Sequence, residues 1–344
     1  MKQRLLPVIP AVAVALALSL AGCASPAPAP SSTAPTTEAA TSSSAPAEKT
    51  FTIGSAVIVS HPALQAVQDG FEEVLKENNV KYTMITKNAQ GDMANATTIA
   101  SDFAANKNID LILAISTPIA TTMASAVQDR PILFSAVTDP VAVGLVPSWT
   151  QAGANISGTS DLNPEAKPVS LVKEAMPNVK TIGVLYSSSE PNSLTQVTAY
   201  ETEAASLGVT IKKQAITAAS EISAGLAALK GVDAILIPTD NTVVASIATV
   251  IGFGQENKIP VFCADTSTVS LGTVATRGLS YHDLGRATGE MAVKILVQGV
   301  SVSSITPEAT TSTELIVNPD AATAFGLTLS PDFVAKGTVV TTTK

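Results

Sequence analysis

The chain repeats itself, and that repetition constrains the fold more than any other feature. Thr52-Ile53-Gly54 opens one apolar run (TIGSAVIVS), and Thr181-Ile182-Gly183 opens another (TIGVLYSSS) 129 residues later. Asp110 begins DLILAISTP and Asp233 begins DAILIPTDN, 123 residues apart. Pro131-Ile132-Leu133-Phe134 and Pro260-Val261-Phe262-Cys263 again stand 129 residues apart. Matches in one order at nearly one spacing indicate two copies of a single supersecondary unit. Within each copy, short runs rich in Ile, Val and Leu suit strands buried on both faces of a parallel sheet. Helical patterns lie between them: ALQAVQDGFEEVLKENN, ANATTIASDFAANKN and IATTMASAVQD in the first copy. The second has LTQVTAYETEAASLG, SEISAGLAALKG and VVASIATVIGFGQENK. Alternation of this kind builds a doubly wound sheet with right-handed crossovers. The expected fold class is α/β, with two doubly wound parallel-sheet lobes.

In such sheets the carboxyl ends of the strands form the binding edge. In the first copy they are Ser60-His61-Pro62, Ser116-Thr117-Pro118 and Thr138-Asp139-Pro140. In the second they are Ser188-Ser189-Glu190-Pro191-Asn192-Ser193, Thr239-Asp240-Asn241 and Asp265-Thr266-Ser267. Pro62 and Pro118 suit first helical turns, and Ser193 with Gln196 reads as a capping box for a helix ending at Gly208. Helix amino ends and hydroxyls favour a carboxylate. The side chains, however, bring acids (Asp139, Glu190, Asp240, Asp265) and no Lys or Arg, although Arg277 is near in sequence. A zwitterion satisfies both demands, with its carboxylate on amides and hydroxyls and its ammonium on an Asp. The pattern therefore points to an amino acid.

Charge and motifs exclude other classes. A formal charge of −8 without a Lys/Arg cluster argues against nucleic acid. Neither GxSxG, GxGxxG nor a His/Cys metal cluster occurs, so no catalysis and no cofactor are expected; His61 beside Ser60 is the only acid–base candidate. Cys263, in PVFCAD, reads as a small core residue. A sugar or nucleoside receptor stays open as the alternative, although sugar sites stack rings on aromatics and this chain has one Trp, Trp149. Phe134 and Tyr186 are the aromatics nearest the expected edge.

The N-terminus reads as an address. Lys2 and Arg4 precede a short, proline-broken apolar run that reaches Leu20-Ala21-Gly22-Cys23, which looks like a bacterial lipobox. Cys23 would then carry acyl chains such as palmitate, and several chains on one residue hold a protein to a membrane surface. Pro, Ala, Ser and Thr dominate the segment up to residue 50, which reads as an extended tether.

From Phe51 to about Leu329 the chain resembles the ABC-transporter substrate-binding lipoproteins of the tryptophan/tyrosine type. The residues that carry the likeness include HPALQAVQDGF, NAQGD, STPIATTMA, FSAVTDPVAVGLV, GANISGTSD, YSSSEPNS, PTDNTVV, RGLSYHDLGRATGEMAVKIL and IVNPDAATAFGL. The resemblance implies a two-lobed receptor of the periplasmic-binding-protein type I fold. It would be anchored by lipid outside the cell membrane, monomeric, and would deliver an amino acid to an ABC permease and its ATPase. Carried over by position, the ligand contacts would be Ser60, Ser116, Thr117, Asp139, Glu190, Asn192, Ser193, Asp240, Asn241 and Asp265. Thr117 and Ser193 are the first choices for the carboxylate, and Asp240 or Asp265 for the ammonium. The implied organisation is a signal peptide over 1–22 and a lipidated tether over 23–50. Lobe 1 would comprise 51–160 and 282–308, and lobe 2 would comprise 161–281 and 309–344. A helix is expected over Tyr281–Gln298, with hinges near 158–163, 278–283 and 306–314; His282 falls at one of them and reads as a hinge or surface residue.

Overall fold

The computed structural model describes residues 49–309 and 312–343. Cys23 and the segment read as a signal lie outside the described residues. The first lobe runs β1 (Phe51–Val57), α1 (Pro62–Glu77), β2 (Tyr82–Asn88), α2 (Met93–Ala105), β3 (Leu111–Ile115), α3 (Thr117–Ala126), β4 (Ile132–Ser135) and β5 (Ile156–Ser160). The second runs α4 (Pro168–Ala175), β6 (Thr181–Ser187), α5 (Pro191–Leu207), β7 (Thr210–Ile216), α6 (Ile222–Ala228), β8 (Ala234–Ile237), α7 (Asn241–Val244), α8 (Ile247–Asn257), β9 (Val261–Cys263) and β10 (Ala275–Gly278). The remaining elements are α9 (Tyr281–Leu296), β11 (Glu308–Ala309), β12 (Glu314–Val317), α10 (Pro319–Ala324), α11 (Pro331–Val334) and β13 (Thr338–Val339).

The duplication is visible in the sheets. The first has strand order β11-β5-β4-β3-β1-β2 and the second β7-β6-β8-β9, all parallel. Four strands of each follow one winding. The copies part after β9, where β10 pairs antiparallel with β12 in a separate three-stranded sheet. Helices cover the sheet faces, so a strand such as β3 (LILAI) is buried at every residue.

Two hydrophobic cores result. Ile53, Phe71, Ile112, Phe134 and Met291 belong to one, and Val184, Ile235, Phe262, Phe325 and Phe333 to the other. Phe134 is therefore a core residue, while Tyr186 is partly buried against the second core. Cys263 is a free, buried thiol. The chain passes between the cores after β5, between β10 and α9, and between β11 and β12. Helix α9 returns to α1 at very close range: a Cβ on Gly70 would lie 2.2 Å from the His282 carbonyl oxygen, and one on Gly285 would lie 2.0 Å from that of Val67. His282 itself is half-buried at the surface, with Nε2 2.8 Å from Glu73 Oε2.

Two local expectations need correction. The run VVASIATVIGFGQENK forms two helices, because α7 ends at Val244 and Ser246 starts α8. The Ser193–Gln196 capping box does not form. Helix α5 begins earlier, at Pro191, and Ser193 Oγ donates instead to Asp240 Oδ2 at 2.6 Å. Gly208 does end that helix, in the left-handed region at φ 65°.

Candidate functional site

A parallel sheet wound 2-1-3-4 has its switch point between strands 1 and 3, where the connections leave on opposite faces. Val57 of β1 pairs with Ile115 of β3, so residues 58–61 and Ser116-Thr117 emerge side by side. In the second lobe, β6 and β8 present residues 188–190 and 238–240 in the same way. The two edges meet. His61 Nε2 lies 3.3 Å from Asn241 Oδ1, and His61 Nδ1 lies 3.8 Å from Asp265 Oδ2. Between them is a cavity of about 10 Å³ lined by His61, Ala136, Thr138, Asp161, Asn192, Thr239, Asn241, Asp265 and Tyr281, among others. That is room for about one water.

Its chemistry is dominated by two acids. Asp161 is 7% exposed; its Oδ1 accepts from Thr138 Oγ1 at 2.9 Å and its Oδ2 from the Tyr281 hydroxyl at 3.1 Å. Burial pushes its carboxyl above the usual range, these two hydrogen bonds oppose the shift, and the charge of Asp265 adds to it. Asp265 is 1% exposed; its Oδ1 caps Ser267, accepting from the amide at 2.8 Å and the hydroxyl at 2.7 Å, while Oδ2 faces the cavity side at His61. Among the described residues no Lys or Arg lines this cavity. Two carboxylates that share a small buried space with no Lys or Arg, and with only the His61 imidazole 3.8 Å from Asp265, suit a ligand that brings a cation.

Other buried polar groups at the cleft lack partners. His61 Nδ1, Ser116 Oγ and Asn192 Oδ1 are buried without a hydrogen bond among the described residues. Ser116, just before helix α3, also holds φ 86°, and Ala136 beside the cavity holds φ 54°. Strained backbone of this kind persists where the surroundings over-determine it, and it clusters at ligand sites.

The ten residues singled out from the sequence fall into three groups. Asn192, Asn241 and Asp265 line the inter-lobe cavity. Ser116 and Thr117 sit buried directly behind it, with Thr117 Oγ1 accepting from the amide of cavity-lining Thr138 at 3.3 Å. The other five are occupied elsewhere. Asp240 is fully buried inside its lobe, with Oδ1 capping Val243 and Oδ2 accepting from the Ser187 amide and from Ser193. Glu190 accepts from Asn192, from the amide and side chain of Asn241, and from the amide and hydroxyl of Thr242. Asp139 caps its own turn at Val141 and Ala142, and exposed Ser60 accepts from Asn88.

Four cavity-lining residues, Asp161, Tyr281, Thr138 and His61, were not chosen as ligand contacts from the sequence, although His61 and Thr138 stood in the clusters placed at the binding edge. Thr138 stood in the recognised cluster Thr138-Asp139-Pro140, from which the acid was chosen. Asp161 ends ISGTSD, a run of small residues whose polarity conceals that it is a buried strand.

Two parallel-sheet lobes with facing switch points and a polar cavity between them define a solute receptor of the periplasmic-binding-protein type. The chain belongs to the ABC transporter substrate binding protein family, whose model it matches over residues 52–340. It is thus the extracytoplasmic substrate-binding component of an ABC transporter, and the relatives are solute-binding proteins, not enzymes. It is 38% identical over 282 residues to a tyrosine-binding protein of Clostridioides difficile (strain R20291), covering 80% of this chain and 81% of that one. A crystal structure of an ABC domain in complex with L-Trp from Streptococcus pneumonia matches at 34% identity and a TM-score of 0.81, over 85% of this chain and 100% of that one. A ligand-free, open substrate-binding protein with adhesive properties from Clostridium difficile matches at 41% identity over the same shares, but with a TM-score of only 0.62.

Proposed function

We propose that this protein binds a free aromatic amino acid between its lobes and hands it to the permease and ATPase of an ABC importer. The observation that carries the reading is the pair of buried carboxylates, Asp161 and Asp265, at a cavity that no Lys or Arg lines among the described residues. The ligand's ammonium sits between them. Its carboxylate is met from the first lobe by the unpartnered Ser116 hydroxyl at the amino end of α3, where the helix dipole favours an anion. The relatives described as binding tyrosine and L-Trp support the aromatic class.

Ligand closes the lobes, which we place at 51–160 with 282–308 and at 161–281 with 309–344, about the three crossings. Ligand release requires them to part, since the closed cavity holds about 10 Å³. We also propose that Cys23 is lipidated and holds the receptor at the outer face of the membrane. Among the described residues no helix is long and apolar enough to cross one.

The test is calorimetry of the purified protein with L-tyrosine, L-tryptophan and L-phenylalanine, beside a hexose and a nucleoside. Mass spectrometry of whatever the denatured protein releases accompanies it. Saturable binding of an aromatic amino acid is expected. A sugar or nucleoside bound in its place would overturn the reading.

A further inference from the structure

Away from the crossings, one side chain among the described residues hydrogen-bonds from the first lobe to the second, and it is His61. It stands at the amino end of α1, where its side chain caps nothing, and that side chain is 5% exposed. Nε2 lies 3.3 Å from Asn241 Oδ1 at the start of α7, and Nδ1 lies 3.8 Å from Asp265 Oδ2 just after β9. The Asn241 amide is held in one orientation. Its Nδ2 donates to Glu190 Oε2 at 2.5 Å, so Oδ1 is the atom that faces the ring. Nε2 must then be the donor of that pair. Nδ1 is left buried without a partner, facing a carboxylate. In a neutral imidazole Nδ1 would be a second acceptor set against Oδ2, whereas a protonated ring offers a donor on both sides. At 3.8 Å the Asp265 pair is charge facing charge and not a hydrogen bond.

We infer that His61 is an acid-operated latch: its protonated ring, donating to Asn241 and facing Asp265, holds the solute-free lobes together. The inference rests on the proposed parting of the lobes about their crossings, and not on which solute lies between them. Position links the proton to closure. With the lobes apart, a positive ring would sit at the amino end of α1, where the helix dipole disfavours a cation. With the lobes together, the same ring faces acids. Asp265 and, behind Asn241, Glu190 face it from the second lobe, while Asp161 and the Tyr281 hydroxyl line the cavity from the crossings. Burial holds the Asp161 carboxyl above the usual range, so Asp265 is the charge that the ring meets. On its own helix the nearest charged side chain is Asp69, exposed and bonded to Gln65. The closed arrangement is therefore the one that binds the proton more readily, and by linkage a fall in pH favours closure.

Small-angle scattering of the full, solute-free chain reads the balance of closed and open lobes, between about pH 8 and pH 5, the span in which a histidine ordinarily changes charge. The closed-to-open ratio of the wild type should rise about tenfold on acidification, the worth of one hydrogen bond to a charged group. His61→Gln keeps an amide donor for Asn241 and carries no charge, so its ratio should stay flat across the same span. Asp265→Asn keeps the ring but removes the charge it faces, and should be flat as well. Melting curves check that both variants fold. A wild-type ratio that stays level or falls in acid would overturn the latch. So would a wild-type response that survives in His61→Gln or in Asp265→Asn, because the titrating pair would then lie elsewhere. Either failure leaves the amino-acid reading intact, since calorimetry with the aromatic amino acids tests that reading by itself.

Discussion

Ser116-Thr117 and Thr239-Asp240-Asn241 hold equivalent places in two copies of one unit, yet they are built in opposite ways. The first-lobe edge is left open: Ser116 keeps a buried hydroxyl without a partner and a left-handed backbone, and His61 Nδ1 is likewise unmet. The second-lobe edge is largely closed on itself, with Asn192 Oδ1 left unmet among the described residues. Asp240 and Glu190 take up donors from Ser187, Ser193, Val243, Asn192, Asn241 and Thr242, which tie the ends of β6 and β8 to the starts of α5 and α7. Duplication thus kept the winding and divided the labour. One strand end was braced, and the other was left with polar atoms for a ligand to satisfy. An unmet buried group costs about 1–3 kcal/mol, so on the proposed reading the open edge is the one that binding would stabilise.

The largest effect expected is on the braced edge. Asp240→Ala strips the acceptor from two amides and a hydroxyl, and should lower unfolding stability by on the order of 3 kcal/mol or more in urea titration. Ligand affinity of the folded fraction should hardly change. A normal stability with lost affinity would break the comparison. Acidity gives a second handle, because burial foremost and the Glu190 charge next push the Asp240 carboxyl up to about 7 from 3.8. A raised carboxyl stabilises fully below its unfolded value, and that contribution is lost as pH rises through the folded one. Wild-type stability should therefore decline from this group between about pH 4 and 7, and Asp240→Asn should remove that slope.

A smaller effect, read in affinity, belongs to the cavity acids. Asp265→Asn keeps the shape and the Oδ1 cap while removing the charge, and should weaken amino-acid binding by about one to two decades, the worth of a charge-assisted hydrogen bond. The melting temperature of the ligand-free protein should stay put. Since Asp161 titrates above the usual carboxylate range and must ionise to hold an ammonium, binding should release protons. Affinity should then fall as pH is lowered through that raised value, which calorimetry in buffers of different ionisation enthalpy measures directly. Binding that takes up protons would remove Asp161 from the site.

The smallest effect sharpens the contrast most. Ser116→Ala deletes a hydroxyl that has no partner among the described residues, so stability should be unchanged or slightly raised. Binding should weaken by roughly tenfold or less. A stability loss above about 1 kcal/mol would mean that the open edge is braced after all.

The sequence by itself determined the duplication, the α/β winding, most helix starts and the position of the cleft. Those features follow from local periodicity and from turn chemistry at strand ends, which a single strand and the helix after it already contain. It also found five of the residues at or just behind the cavity: Ser116, Thr117, Asn192, Asn241 and Asp265. Which acids face the cavity was decided only by the tertiary structure. Asp240 looked like the partner of a cation because it follows a greasy strand, but donors about 50 residues away, at Ser187 and Ser193, turn it into a brace. Asp161 looked like a hinge residue, and Tyr281, 120 residues further on, orients it at the cavity. A carboxylate goes where its hydrogen-bond donors are, and in a two-lobed chain those donors come from strands and helices far apart in sequence.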